Sequence, residues 1–421
     1  MTRFRNATAD TFRSLRHKNF RIFFVTQGIS FTGTWVQLVA QTLLILRLTD
    51  SGTALGLLTA IQFAPTLVLG AWAGVVIDRH DKRRLMAITT TAMLLAALAL
   101  GLLVLADRAT VPLVYLLAAV LGLANTFDNP ARRTLVNDLV PAAEVSNAVS
   151  LNSTLVTSAR IVGPALAGLL VVTVGIGWCF VVNAASFVAA LVGLWLLDAS
   201  ALRSRPPVAR AKGQLRAGLR YVSSIDDLRI PLLLMAVVGT LSFNFQVLLP
   251  LLAKRDLGGT DGTYTLLTTV FSVGSLVGSL RMARRQVIDT RFLGLSAVVL
   301  GITTGALAFA PNVVVAGAIL LVTGYAGIGV LSGGNAVLQM AASPEMRGRV
   351  LALFTVVFLG STPIGGPIAG WAAEEFGTGA GLLIGAVAAV AAGLAVLAFL
   401  RNRDALVNSS TSRPPDVVAA A

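Results

Sequence analysis

Long apolar runs alternate along this chain with short polar punctuation, and that alternation predicts its elements. A helix needs about 20 mostly apolar residues to cross a bilayer, and twelve such runs lie end to end. They are residues 20–46, 53–77, 85–106, 111–127, 144–173 and 176–197, then 229–253, 262–280, 290–310, 313–340, 346–373 and 378–400. Backbone polar groups in hydrocarbon must be satisfied within the segment, so each run is expected to be a helix. The pattern predicts an all-α membrane protein with twelve transmembrane helices in two six-helix bundles, 1–198 and 229–400. A linker at 199–228 joins them, and a tail follows at 401–421. In the linker, Pro206 and Pro207 precede Leu215, Leu219, Val222 and Ile225, a spacing suited to a helix lying in the membrane interface. Phe4, Phe12 and Leu15 suit the basic opening segment to the same interface.

The two halves repeat weakly in parallel, offset by about 203 residues. Pro141 to Gly163-Pro164 has the same length as Pro344 to Gly366-Pro367, and Gly70-xxx-Gly74 recurs as Gly274-xxx-Gly278. The second copy has no acid where Asp78 would fall. Parallel repeats of this kind occur in transporters, with the substrate site between the halves near the bilayer midplane.

Composition agrees with a chain solvated by lipid: of 421 residues, 56% are hydrophobic and 12% charged. The net charge of +14 would suit a nucleic-acid binder, but its distribution follows a membrane rule instead. With both termini cytoplasmic, 28 of the 33 lysines and arginines lie in cytoplasmic segments. Arg47, Arg108, Lys254 and Arg255 lie outside, and Arg160 lies within a span. No nucleic-acid partner is needed to explain the charge. Arg3, Arg5, Arg13, Arg16 and Lys18 precede an apolar segment longer than a signal-peptide core, so the first span is expected to be retained. Cys179 is the one cysteine, which excludes a disulfide within a single chain.

Enzyme chemistry finds little support. The chain lacks G-x-x-x-x-G-K-[ST], so no nucleotide-phosphate loop is visible. His17 and His80 both fall in cytoplasmic segments and assemble no metal cluster or hydrolytic triad. Neither enzyme nor cofactor is expected. Gly327 and Gly329 approach a dinucleotide fingerprint, but the next glycine is Gly333 and the stretch is an apolar span, so helix packing accounts for them.

The polar residues inside spans are more informative. Gln27, Ser30, Thr34, Gln37 and Gln41 in span 1 are spaced by three, four, three and four, which puts them on one helical face. A polar stripe in lipid must face protein or water, so it either bonds neighbouring helices or lines an aqueous cavity. Span 10 offers Ser332, Asn335 and Gln339, and span 7 offers Thr240 and Asn244. In span 8, Thr265, Thr268, Ser272, Ser275 and Ser279 suit packing equally well. Arg160 stands near the middle of span 5. A central arginine costs roughly 2.5 to 3.5 kcal/mol on insertion scales, so it needs a partner: a helix C-terminus, carbonyls freed by Pro164, or a bound anion. Gly163-Pro164 with Gly168 and Gly366-Pro367 with Gly370 are expected to bend spans 5 and 11 and act as pivots.

The sharpest signature is Gly70 to Arg84. Gly70 and Gly74 have the small-xxx-small spacing that lets helices in lipid approach. Asp78 follows at the negative end of its helix dipole, where it needs compensation from Arg79, Lys82, Arg83, Arg84 or another helix N-terminus. Gly74, Asp78, Arg79, Lys82 and Arg83 resemble the motif between spans 2 and 3 of the major facilitator superfamily, with Asp81 where that motif usually has its second glycine. The resemblance covers Leu15 to about Leu400. It implies that spans 1, 4, 7 and 10 line a central cavity, and that Asp78 latches against the N-terminus of span 11 and an acid ending span 4, by position Asp128. Arg160 before Gly163-Pro164, and Pro130-Ala131-Arg132 ahead of Leu139-Val140-Pro141, resemble the bacterial branch that includes the enterobactin exporters. Gly163-Pro164 resembles in part the span 5 motif of drug and proton antiporters.

These likenesses imply a secondary active transporter of the cell inner membrane. It would export a small amphiphilic molecule, drug-like or siderophore-like, by alternating access coupled to proton influx. One charge crossing 100 mV provides about 2.3 kcal/mol and a tenfold gradient costs about 1.4, so one proton supports roughly a forty-fold gradient. Many relatives carry a carboxylate in span 1; here that face holds Thr34 and glutamines, leaving Asp78 and Asp128 as candidate carriers. An importer or uniporter of a small polar solute suits an amide-lined cavity as well. A non-transporting scaffold or receptor would need cytoplasmic segments larger than the linker of about 30 residues.

Overall fold

The structure is a computed structural model that describes residues 12–202, 214–285 and 288–411. Its helices are α1 (Lys18–Thr49), α2 (Gly52–Arg79), α3 (Lys82–Leu105), α4 (Val111–Asp138), α5 (Val145–Thr173) and α6 (Ile176–Leu196). After the linker helix α7 (Gln214–Ser223) come α8 (Asp226–Leu241), α9 (Phe245–Leu251), α10 (Asp261–Ala283), α11 (Thr290–Leu307) and α12 (Val313–Ala341). The series ends with α13 (Arg347–Leu359), α14 (Thr362–Phe376) and α15 (Thr378–Thr411). Among the described residues, twelve stretches are long and apolar enough to cross a membrane; α8 with α9 forms the seventh, and α13 with α14 the eleventh. Among the described residues there is no strand.

Short polar residues start several helices by accepting a backbone N–H, as capping requires. Ser51 accepts from Ala54, Asp289 from Phe292 and Asn312 from Val315. Between α1 and α2 the chain turns at Asp50, whose φ of 44° lies in the left-handed region that an aspartate tolerates.

Three elements depart from the hydropathy pattern. α4 continues eleven residues past 127, carrying Asp128 and Arg132 into its buried face. A charged pair that satisfies itself inside the protein is invisible to a hydropathy average. The seventh span is interrupted at Ser242–Asn244, where the Ser242 hydroxyl donates to the Gly385 carbonyl at 2.6 Å. The eleventh is interrupted at Gly360–Ser361 rather than at Gly366-Pro367, because Pro363 sits in the first turn of a new helix, where its missing N–H costs nothing. α5 runs without interruption through Gly163-Pro164.

In the first six spans, α1 packs on α5 and α6, α3 on α4 and α6, and α2 on α4. In the last six, α10 packs on α12, α11 on α12 and α15, and α8 on α12, α14 and α15. The two groups meet through α2 against α14 and α5 against α10. α7 lies against α8 and α13, with Val222 buried and the Ser343 N–H donating to the Tyr221 hydroxyl at 3.1 Å. With twelve spans between them, the start of α1 and the end of α15 lie on one side, here called the terminal end; the opposite side is the far end.

Candidate functional site

The α1 stripe is divided among different neighbours. Gln27 is 1% exposed and accepts from the Arg132 guanidinium of α4. Gln37 accepts from Asn183 Nδ2 of α6 at 2.5 Å, while its own Nε2 has no partner among the described residues. Gln41 is buried with both amide atoms unpartnered, and the Ser30 hydroxyl is likewise unpartnered. Thr34 is half-buried and donates to the Ser30 carbonyl at 2.8 Å. The part of the stripe nearest the terminal end therefore ties α1 to α4, and the middle ties it to α6.

Arg160 is half-buried on α5, with its guanidinium carbon 5.1 Å from the centre of the Trp35 ring of α1. Among the described residues it has no acidic partner. α5 reaches Trp35 because Gly163 is there: a Cβ at that position would collide with the Trp35 Cβ and stand 3.2 Å from the Thr32 carbonyl oxygen. Trp35 is absent from the sequence-derived set, since an aromatic in a span carries no polar signal. Across the molecule, Thr240 is half-buried, and Asn244 donates to the Thr240 carbonyl at 2.8 Å with its own Oδ1 buried and unpartnered. On α12, Ser332 and Asn335 are half-buried and Gln339 is exposed.

Asp128 is fully buried. It accepts from Thr89 of α3 at 2.9 Å and from Arg132 Nε, one turn along α4, at 3.0 Å. Arg132 in turn lies 4.7 Å above the Phe31 ring of α1. The side chain of Asp78 lies outside the described residues, so the expected latch to Asp128 does too. The basic residues that follow it are anchored within the first six spans. Lys82 pairs with Asp138 at 2.5 Å, and Arg83 donates to the Trp195 carbonyl at 2.9 Å. Arg79 is exposed and Gly74 half-buried. Asp81 has a φ of −61°, so no glycine is required there, and its carboxylate caps α3 by accepting from the Arg84 N–H at 3.1 Å.

The far end carries a cluster that sequence reasoning missed. Arg47 of α1 donates through Nε to Asp261 of α10 at 2.9 Å, and Lys254 pairs with the same carboxylate at 2.8 Å. Arg255 donates to the Asp50 carbonyl and pairs with Glu374 of α14 at 3.3 Å. Glu374 also accepts from the Gly52 N–H of α2 at 2.6 Å. Beneath these contacts α2 and α14 touch backbone to backbone: a Cβ on Gly52 would lie 2.8 Å from the Gly370 carbonyl oxygen, and one on Gly56 2.5 Å from that of Gly366. Gly70, in contrast, meets only its own helix. The signal for the cluster was the placing of three of the four cations that break the charge bias. Arg47, Lys254 and Arg255 sit beside Asp50, Asp261 and Glu374 only after the chain folds.

At the terminal end the pairs stay within one group of six spans. His17 meets Glu144, Lys82 meets Asp138 and Arg403 meets Asp227; no pair among the described residues crosses between the groups there. Among the described residues, the ion pairs that cross between the two groups therefore lie at the far end.

Comparison with known proteins fits this architecture. A family profile described as transmembrane secretion effector matches residues 9–421. The chain is 22% identical to the staphyloferrin A transporter of Staphylococcus aureus over 85% of its length and 90% of the relative's. It is 25% identical to the multidrug efflux pump Tap of Mycobacterium tuberculosis over 95% of its length and 98% of the relative's. Among solved structures, a single-residue variant of the nucleoside transporter NupG superposes with a TM-score of 0.74 at 14% identity, covering 90% of this chain and 99% of that one.

Proposed function

The chain belongs to the transmembrane secretion effector family, multi-pass transporters of the major facilitator superfamily in the cell membrane, and we propose that it exports a small amphiphilic molecule bearing an anionic group. The observation that carries this reading is Arg160 above Trp35. A guanidinium inside a span, half-buried against an aromatic face and without an acidic partner among the described residues, suits a ligand with a negative group and an apolar body. Relatives named for efflux support the outward direction.

The charge bias supports a cytoplasmic terminal end, and cross-group ion pairs at the far end support a chain that stands open inward with its outer side sealed. Loading from the cytoplasm, closure of the terminal end and rupture of the far-end contacts then give alternating access. Gln41 and Asn244, whose buried amide atoms lack partners, are positioned to meet substrate or water as the seal opens. Proton coupling enters through Asp128, which among the described residues is the carboxylate lying well inside a span. Protonating it would release Arg132 from its counter-ion and loosen the tie from α4 to α1 through Gln27.

The test is transport by the full chain in everted and right-side-out vesicles with a proton gradient, using anionic and neutral amphiphilic dyes of similar size. Gradient-driven accumulation in everted vesicles is expected. Arg160→Ala should reduce it about tenfold or more for the anionic dye while sparing the neutral one, as loss of a desolvated charge-assisted contact predicts. Accumulation only in right-side-out vesicles would overturn export in favour of uptake.

A further inference from the structure

On the outer flank of the first six spans, α5 and α6 each pack closely against α1 but meet one another far less, leaving a groove of about 580 Å³ open to the side. Val25 and Ile29 of α1 form its floor, Leu155 and Val162 of α5 one wall, and Val182 and Ala185 of α6 the other. Glycines set this shape. A Cβ on Gly28 would lie 2.8 Å from a Leu155 methyl, and one on Gly33 would lie 2.6 Å from Asn183 Oδ1, so both walls close onto α1 and the floor stays low.

The groove is built for hydrocarbon. Val25, Ile29 and Val162 are 54%, 48% and 51% exposed, although no helix covers them. Two of the three hydroxyls in the lining are turned to the backbone: Thr32 donates to the Gly28 carbonyl at 2.9 Å and Ser186 to the Asn183 carbonyl at 2.7 Å, while Ser158 is exposed. The α1 residues of the lining lie six to fifteen positions inside Lys18, roughly 9 to 22 Å at 1.5 Å per residue, which is the leaflet nearer the terminal end. Lys18, Arg21, Val25 and Ile29 continue the same helical stripe down to that end, with both cations exposed. Arg21 makes no ion pair among the described residues, and a guanidinium binds phosphate with two parallel hydrogen bonds.

We propose that this groove is a binding site for one anionic phospholipid of the cytoplasmic leaflet, with an acyl chain along Val25 and Ile29 and its phosphate at Arg21. The leaflet rests on the orientation given above, whereas the site does not depend on what the protein transports. A bound chain would join α5, which carries Arg160, to α6 through a surface that the protein itself leaves unfilled.

Native mass spectrometry of the purified full chain, with equimolar phosphatidylglycerol and phosphatidylcholine of identical acyl chains, tests this without substrate or gradient. Wild type should retain phosphatidylglycerol preferentially. Arg21→Gln should cut that preference about fivefold, the factor that one basic side chain near an anionic surface is worth. Ile29→Trp, and independently Ala185→Trp from the opposite wall, should lower retention of both lipids, with thermal melting confirming that each variant is folded. Equal retention of the two lipids by wild type, or phosphatidylglycerol retention unchanged in both folded tryptophan variants, would overturn the proposal. Retention of glycerol phosphate as strongly as of the whole lipid would also overturn it, since the groove would then contribute nothing.

Discussion

Asp128 and Arg132 illustrate how differently one residue reads alone and in place. By position Asp128 suggested a latch at the membrane edge; in the fold it is buried about three turns from the C-terminal end of α4, held by Arg132 and Thr89. Removing one member of a buried pair leaves an uncompensated charge, at a cost of about 3 to 5 kcal/mol. Asp128→Asn should therefore lower the melting temperature markedly in detergent, and adding Arg132→Met should recover much of the loss. If the single variant melted like wild type, the pair would be only a weak contributor. Arg160 was legible because an arginine among apolar residues stands out, whereas its neighbour Trp35 was not, because aromatic residues are ordinary in spans. Gln27 and Gln37 were found as polar positions, but which helix each would bond depended on how α4 and α6 pack around α1.

At the level of elements, the helices follow the hydropathy pattern closely and the breaks do not. Interruption at Ser242–Asn244 and at Gly360–Ser361 reflects tertiary bonds and the placing of Pro363, which an apolar average smooths over. Glycine pairs show the same division. Gly274 and Gly278 seat α10 against α12, at Leu321 and Tyr325, but the closest helix contact between the two groups uses Gly52 and Gly56 with Gly366 and Gly370. Overpacking there should cost about 1 to 3 kcal/mol. Gly56→Leu is expected to favour the far-end-open state by roughly five- to hundredfold, read as increased separation of spin labels on the far-end loops at Arg108 and Pro311, in a Cys179→Ala background. Unchanged separation would mean that the α2–α14 contact does not control opening.

For the whole molecule, the far-end cluster adds a few individually weak ion pairs to the α2–α14 and α5–α10 packing that joins the two groups of helices. A partly exposed ion pair contributes about 0.2 to 1 kcal/mol. Asp261→Asn removes two, to Arg47 and Lys254, and should raise the far-end-open population roughly two- to thirtyfold by the same label distance. Exchanging the charges in Arg47→Asp with Asp261→Arg should restore part of the closed population, which a change in local packing alone would not do. Ion pairs this weak could form and break in each cycle of the alternating access proposed above.

By itself the sequence determined the twelve spans, the weak repeat, the charge bias on which the proposed orientation rests and the family resemblance of the span 2 to 3 motif. All of these are local in the chain or averaged along it, and solvation by lipid acts on each segment almost independently. Tertiary structure alone decided that Arg47 meets Asp261 and Gly52 meets Glu374, that Asp128 is sealed inside α4's packing, and that α5 and α6 leave a groove between them. Those pairings join residues up to 322 positions apart. Their energy exists only once the helices have packed, so no local pattern in the chain records it.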